Sequence, residues 1–77
     1  MVDTILGRTR AQWQLLTADY VTRGNTLPAT HKLEDALTLS VWQEINYGGS
    51  RQVAIPVTCI NWVDALFSNY TAEVTQR

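Results

Sequence analysis

The stretch "LTLSVWQEINY", residues 37–47, decides how this chain folds, because its pattern fits two different structures. As a strand, its apolar residues alternate, and it would pair with residues 52–57 in a β-hairpin. As a helix, it places Leu37, Val41 and Ile45 on one face together with Leu33 and Ala36 just before it, since residues three or four apart are neighbours on a helix surface. The two interpretations give different fold classes.

Three observations favour the helix. Residues 31–37, "HKLEDAL", form an acidic, leucine-rich opening of the kind that suits a first helical turn. A strand beginning after them would leave residues 23–36 as a long connection without structure, which is unusual in a small domain. Pro56 would also confine the second strand to a sheet edge. We therefore predict a helix over residues 31–47, capped by Thr30. The alternative is a β-hairpin at 37–47/52–57, which would give an α+β fold.

The segment before this stretch has the pattern of a helix over residues 4–22. Asp3 is placed to cap its start, and Gly24 is placed to end it. Gly7 costs about 1 kcal/mol relative to alanine without breaking the pattern. The residues that share the predicted apolar face are Ile5, Leu6, Thr9, Trp13, Leu16 and Tyr20.

The last segment predicts a third helix over residues 58–74. Thr58 is placed to cap it, and Val57 has the spacing of a hydrophobic staple with Trp62. Its apolar residues recur at helical spacing: Cys59, Ile60, Val63, Leu66, Phe67, Tyr70 and Val74. Together the three segments predict one all-α domain over residues 1–77, a small bundle of three amphipathic helices.

Composition excludes several classes of protein. With 45% hydrophobic and 17% charged residues, the chain is too apolar for a disordered protein. Its net charge is −1 without any block of like charge, so nucleic-acid binding has no visible electrostatic basis. No apolar run is long enough for a membrane helix. The absence of a signal-peptide pattern and the single cysteine predict a cytoplasmic protein.

The sequence offers no recognisable catalytic or metal-binding set. Its single histidine, His31, and single cysteine, Cys59, cannot supply the four ligands of a structural zinc site. Cys59 lies on the apolar face of the last predicted helix, where a buried thiol packs as a small hydrophobic side chain. We therefore predict a protein that is not an enzyme and carries no cofactor.

Arginine residues suggest one alternative function. Arg8 and Arg10 lie close to Trp13 in the sequence, and Arg51 is a further cation, so a nucleic-acid-associated regulator is the alternative. Two or three arginines neutralise few phosphates, which weakens this interpretation. The same arginines are candidate partners for Glu44, which the predicted helix places near its buried edge.

Leu39 and Trp42 form the feature that points most directly to a function. In the predicted helix they lie one turn apart, away from the face that carries Leu37, Val41 and Ile45. An exposed leucine and tryptophan pair predicts a protein contact, because tryptophan is enriched at binding hot spots. We therefore expect an interaction or assembly module that binds a protein partner and self-associates through this pair, as a small subunit, adaptor, inhibitor or virion component.

Overall fold

A computed structural model describes residues 2–46 and 53–70 of the chain. The fold is mostly helical, with three helices and a short N-terminal hairpin. In chain order, the elements are β1 (Thr4–Ile5), β2 (Arg8–Thr9), α1 (Arg10–Thr22), α2 (Leu33–Asn46) and α3 (Val57–Ser68). None of the helices in the described part is long and apolar enough to cross a membrane.

The chain begins with a hairpin where we expected the first turns of a helix. β1 and β2 are antiparallel, with Ile5 opposite Arg8. The turn between them has positive φ at both central residues, 53° at Leu6 and 79° at Gly7. Two positive φ values define the hairpin turn whose twist matches that of the flanking strands. The predicted helix over residues 4–22 is therefore wrong in its first six residues.

Helix α1 starts at a capping box that fixes its true beginning. The Thr9 hydroxyl accepts a hydrogen bond from the Gln12 backbone N–H at 3.2 Å, and the Gln12 side chain accepts one from the Thr9 N–H at 2.8 Å. These bonds satisfy two of the N–H groups that a helix start leaves unpaired. The cap expected at Asp3 is therefore wrong. The stop expected at Gly24 is confirmed, since this residue follows the helix with φ 95° and donates to the Val21 carbonyl.

The contested stretch is helical. α2 covers Leu33–Asn46, and residues 53–56 have no regular structure. The hairpin at 37–47/52–57 is therefore wrong wherever the chain is described, while Tyr47 to Gln52 lie outside the described residues. The expected cap at Thr30 is also wrong, because its hydroxyl donates to the Asp35 carboxylate while the helix begins at Leu33.

Helix α3 is shorter than predicted. It begins at Val57 after Pro56, which occupies the cap position without a side-chain bond, and Asn69 caps its end. The cap expected at Thr58 is therefore wrong. The staple is wrong too, because Val57 lies inside the helix rather than before its cap, and it is 68% exposed. Residues 71–74 of the predicted helix lie outside the described residues.

The core forms where α1 packs against both α2 and α3. Leu16 and Phe67 are buried as expected, and so is Cys59, while Tyr70 is half-buried and packs at the edge. The buried members of the core cluster are Val2, Ile5, Trp13, Leu16, Ala36, Leu39, Trp62, Val63, Leu66 and Phe67.

Candidate functional site: a groove between the hairpin and α2

Helix α2 buries a face that overlaps only partly with the one predicted, since Ala36 is buried and Leu33 packs against the core as expected. Leu39 is fully buried, whereas Val41 and Ile45 are 46% and 77% exposed. Two polar side chains, Ser40 and Gln43, are buried on the same side as Leu39. Counting apolar residues alone therefore placed the helix in the wrong rotation. The physical reason is a polar partner that the pattern does not reveal.

That partner is Arg8, which projects from the hairpin to α2. Its guanidinium donates hydrogen bonds to the Ser40 hydroxyl at 2.7 Å and to the Gln43 side-chain carbonyl at 3.1 Å. The two acceptors lie three residues apart and so face the same way on the helix. Arg8 thus satisfies two polar groups that would otherwise be costly to bury, and it fixes the rotation of α2. The only sign of this contact in the sequence is a serine and a glutamine three residues apart in α2.

The hairpin itself is held in place by Trp13 of α1. The indole N–H donates to the Ile5 backbone carbonyl at 2.9 Å, and both residues are fully buried. The Arg8 guanidinium lies 5.5 Å from the centroid of the same indole, within the range of a cation–π contact. Arg8 is therefore positioned by contacts on two helices.

A groove of about 460 Å³ opens between the hairpin turn and α2. Its volume falls in the range of small-molecule sites. Leu6, Leu37 and Val41 supply apolar lining, while Arg8 and Glu44 supply charges of opposite sign. The complete lining is Leu6, Gly7, Arg8, Leu37, Ser40, Val41 and Glu44.

The apolar side of this groove continues along α2. Leu37, Val41 and Ile45 follow one another at four-residue steps, so they form a continuous row on the helix surface. We call this row the outer stripe. Leu37 is half-buried, and exposure increases from Val41 to Ile45. These three residues belong to the face that the apolar pattern assigned to the core, and of that face only Leu33 and Ala36 lie at the core.

The predicted contact pair of Leu39 and Trp42 is not exposed as expected. Leu39 belongs to the core, so its predicted exposure is wrong. Trp42 is half-buried and packs edge-to-face against Tyr20 of α1, with ring centroids 4.8 Å apart. The physical reason is the rotation of α2 by Arg8, which turns Leu39 inward and brings Trp42 to α1. These positions therefore offer no large free surface for a partner.

Arg8 and Arg10, two of the three arginines in the nucleic-acid alternative, both make contacts within the chain. Arg8 is held as described above, and Arg10 bonds to the Asp64 carboxylate at 2.5 Å while its guanidinium lies 4.8 Å from the Phe67 ring centroid. Arg51 lies outside the described residues. The nucleic-acid alternative stays a prediction, and the contacts of Arg8 and Arg10 give it no added support.

Glu44 is exposed rather than lodged at a buried edge. Within residues 2–46 and 53–70, no ion pair joins it to Arg8 or Arg10. It lines the groove beside Arg8, whose guanidinium is turned towards Ser40 instead. The groove therefore holds two opposite charges that do not meet within the described part of one chain.

The residues with reactive side chains are engaged in packing. Burial raises the pKa of the Cys59 thiol, and hydrogen bonds with Thr17 and Thr58 oppose this effect. A raised pKa keeps the thiol protonated and therefore unreactive. His31 lies against the Trp62 ring, with centroids 5.5 Å apart. In the described ranges, no three His, Cys, Asp or Glu side chains come together as a metal site.

Comparisons with protein families, curated proteins and solved structures find no match to this chain. The groove and the outer stripe are therefore interpreted from their own geometry.

Proposed function

We propose that this protein is a non-catalytic interaction module that self-associates through the outer stripe of α2. In this proposal the three helices act as a small bundle around α1, and the bundle presents α2 to a second copy. The observation that carries the proposal is the row of half-buried Leu37 and exposed Val41 and Ile45 beside a partly apolar groove. The proposed contact surface is therefore the outer stripe and not the predicted pair, Leu39 and Trp42.

The outer stripe holds most of the strongly exposed large hydrophobic residues in the described part of the chain. Three large hydrophobic side chains are markedly exposed in the described part of the chain, and two of them, Val41 and Ile45, are adjacent on α2. Single exposed apolar residues are ordinary, but contiguous ones mark contact surfaces. Burying a valine or isoleucine side chain fully contributes about 1.5–3 kcal/mol. A chain of 77 residues has limited core, so burial against a second copy is a substantial gain.

The spacing of the stripe suits a twofold dimer. Leu37 and Ile45 lie four residues on either side of Val41, which is about 6 Å along the helix axis. A twofold axis that passes beside Val41, perpendicular to α2, makes the two copies of the helix antiparallel. Ile45 of one copy then lies over Leu37 of the other. Such an interface is self-complementary, which is the commonest closed arrangement of identical chains.

Sedimentation velocity over a range of concentrations tests the proposal. We expect wild-type protein to form dimers in the micromolar range. Ile45→Glu places a charge in the proposed contact and should give monomers, because an unpaired buried charge is costly. Val57→Glu is the matched control, since Val57 is similarly exposed but lies at the start of α3. Circular dichroism establishes that both variants keep their helices.

Two results would count against this function. A wild-type protein that stays monomeric at high micromolar concentration ends the self-association proposal. A dimer that Val57→Glu dissociates and Ile45→Glu leaves intact would place the contact at α3 and reject the outer stripe.

A further inference from the structure

We infer that a salt bridge between copies, from Arg8 of one copy to Glu44 of the other, completes the groove between the hairpin and α2. This inference rests on the proposed self-association and adds to it the residues that set orientation and specificity. The two side chains line the same groove, carry opposite charges and do not pair within the described part of one chain. A second copy supplies each with the missing counter-charge.

Arg8 is a preformed site for a carboxylate. Its two described hydrogen-bond acceptors, Ser40 and Gln43, are neutral, so its positive charge is not compensated by them. A guanidinium carries five N–H donors, and these bonds use two of them. The Trp13 indole and the two acceptors fix the plane of the group. A fixed planar donor group favours a carboxylate, which it binds through paired hydrogen bonds.

Glu44 is the carboxylate of α2 that lies nearest to Val41 along the helix. It lies three residues beyond Val41, about 4.5 Å along the helix. Side chains on a helix lean towards its N-terminus, so the Glu44 carboxylate lies back towards the twofold axis. In the antiparallel second copy, Arg8 bonds at the level of Ser40 and Gln43, which flank that axis. The two groups therefore meet across the interface.

Glu34 provides the internal comparison. It is also an exposed glutamate on α2, but it lies seven residues before Val41, about 10 Å from the proposed axis. It is absent from the lining of the groove. A general effect of negative charge on association would involve Glu34 and Glu44 alike, whereas a specific pair would involve Glu44 alone.

The test measures the dissociation constant of the dimer for wild type, Glu44→Gln and Glu34→Gln by sedimentation equilibrium. We expect Glu44→Gln to weaken the dimer by about five- to tenfold, the range of partly buried charge pairs, and high salt to reduce the difference. Glu34→Gln should change the constant by less than about twofold.

The same variants are also unfolded at concentrations where the protein is monomeric. Glu44→Gln should leave the midpoint of unfolding unchanged, because the pair forms only between chains. A dimer that Glu44→Gln leaves as tight as wild type overturns the salt bridge while the outer stripe stands. A Glu44→Gln monomer that is less stable than wild type overturns it as well, since the pair would then lie within one chain. A wild-type protein that does not dimerise removes the proposed function and the salt bridge together.

Discussion

The contact of α1 with α3 and the contact of the hairpin with α2 hold the same small fold by different chemistry. The first is built on side chains such as Leu16, Val63 and Phe67, which are buried and apolar. The second depends on Arg8, whose hydrogen bonds to Ser40 and Gln43 offset the cost of burying these two polar side chains. An apolar contact tolerates small rotations, because dispersion and the hydrophobic effect have no direction. A hydrogen-bonded contact fixes one rotation, and here it leaves an apolar stripe outside.

The largest expected effect tests the apolar contact. Phe67→Ala removes a buried ring at the centre of the α1–α3 contact and should lower the free energy of unfolding by about 3–5 kcal/mol. Urea unfolding followed by circular dichroism measures this loss, and a protein this small will be largely unfolded by it. A loss below about 1 kcal/mol would mean that this contact does not carry the fold.

The next effect tests the rotation of α2. Leu39→Ala should lower the free energy of unfolding by about 2–4 kcal/mol, because it leaves a cavity in the core. Ile45→Ala, its control on the outer stripe, should change the stability of the monomer by less than about 0.5 kcal/mol. The reverse order, with Ile45 the more sensitive residue, would restore the face predicted from the apolar pattern. Dilute solution is needed so that dimer formation does not contribute.

A smaller effect compares the two arginines at the start of the chain. Arg8→Lys keeps the charge but cannot reach both acceptors in the same fork, so it should cost about 1–2 kcal/mol. Arg10→Lys should cost less than about 0.5 kcal/mol, because its bond to Asp64 is solvent-exposed and screened. Thermal unfolding of both variants measures the difference. Equal losses would show that Arg8 does not fix α2.

The smallest effect lies in the hairpin turn, where Leu6 has a positive φ that a leucine adopts at a cost of about 1–2 kcal/mol. Leu6→Asn suits this turn and should raise the free energy of unfolding by about 0.5–1 kcal/mol after some lost packing. Gly7→Ala is the opposing control. It has open space for the added methyl group, so its expected loss of about 1 kcal/mol reports backbone conformation alone. If neither change alters stability, the turn is not as described.

The same contrast explains what the sequence could predict. The three helices and most of the α1–α3 core follow from apolar periodicity, because buried apolar side chains must recur on one face. The rotation of α2 does not, since Ser40 and Gln43 count as surface residues until the position of Arg8 is known. That position depends on the fold of another segment, which local sequence does not contain.

The hairpin was missed for a related reason. Leu6-Gly7 lacks the asparagine or aspartate that usually marks this turn, and Ile5 fits an apolar helical face as well as a buried strand. The capping box at Thr9 and Gln12 was a readable signal that the helix starts there. The groove could not be predicted for both reasons, because it lies between the hairpin that was missed and the helix whose rotation was predicted wrongly.

The central claim is that α2 turns its outer stripe towards a second copy. Its most direct test is disulfide formation at the proposed twofold axis. Val41→Cys places a thiol at that axis, while the native Cys59 is buried and gives a low background. Ala11→Cys, an exposed position on α1, is the control. Under mild oxidation in the micromolar range, we predict a covalent dimer for Val41→Cys in high yield and little for Ala11→Cys. Equal yields from the two variants, or none from Val41→Cys, would contradict the account.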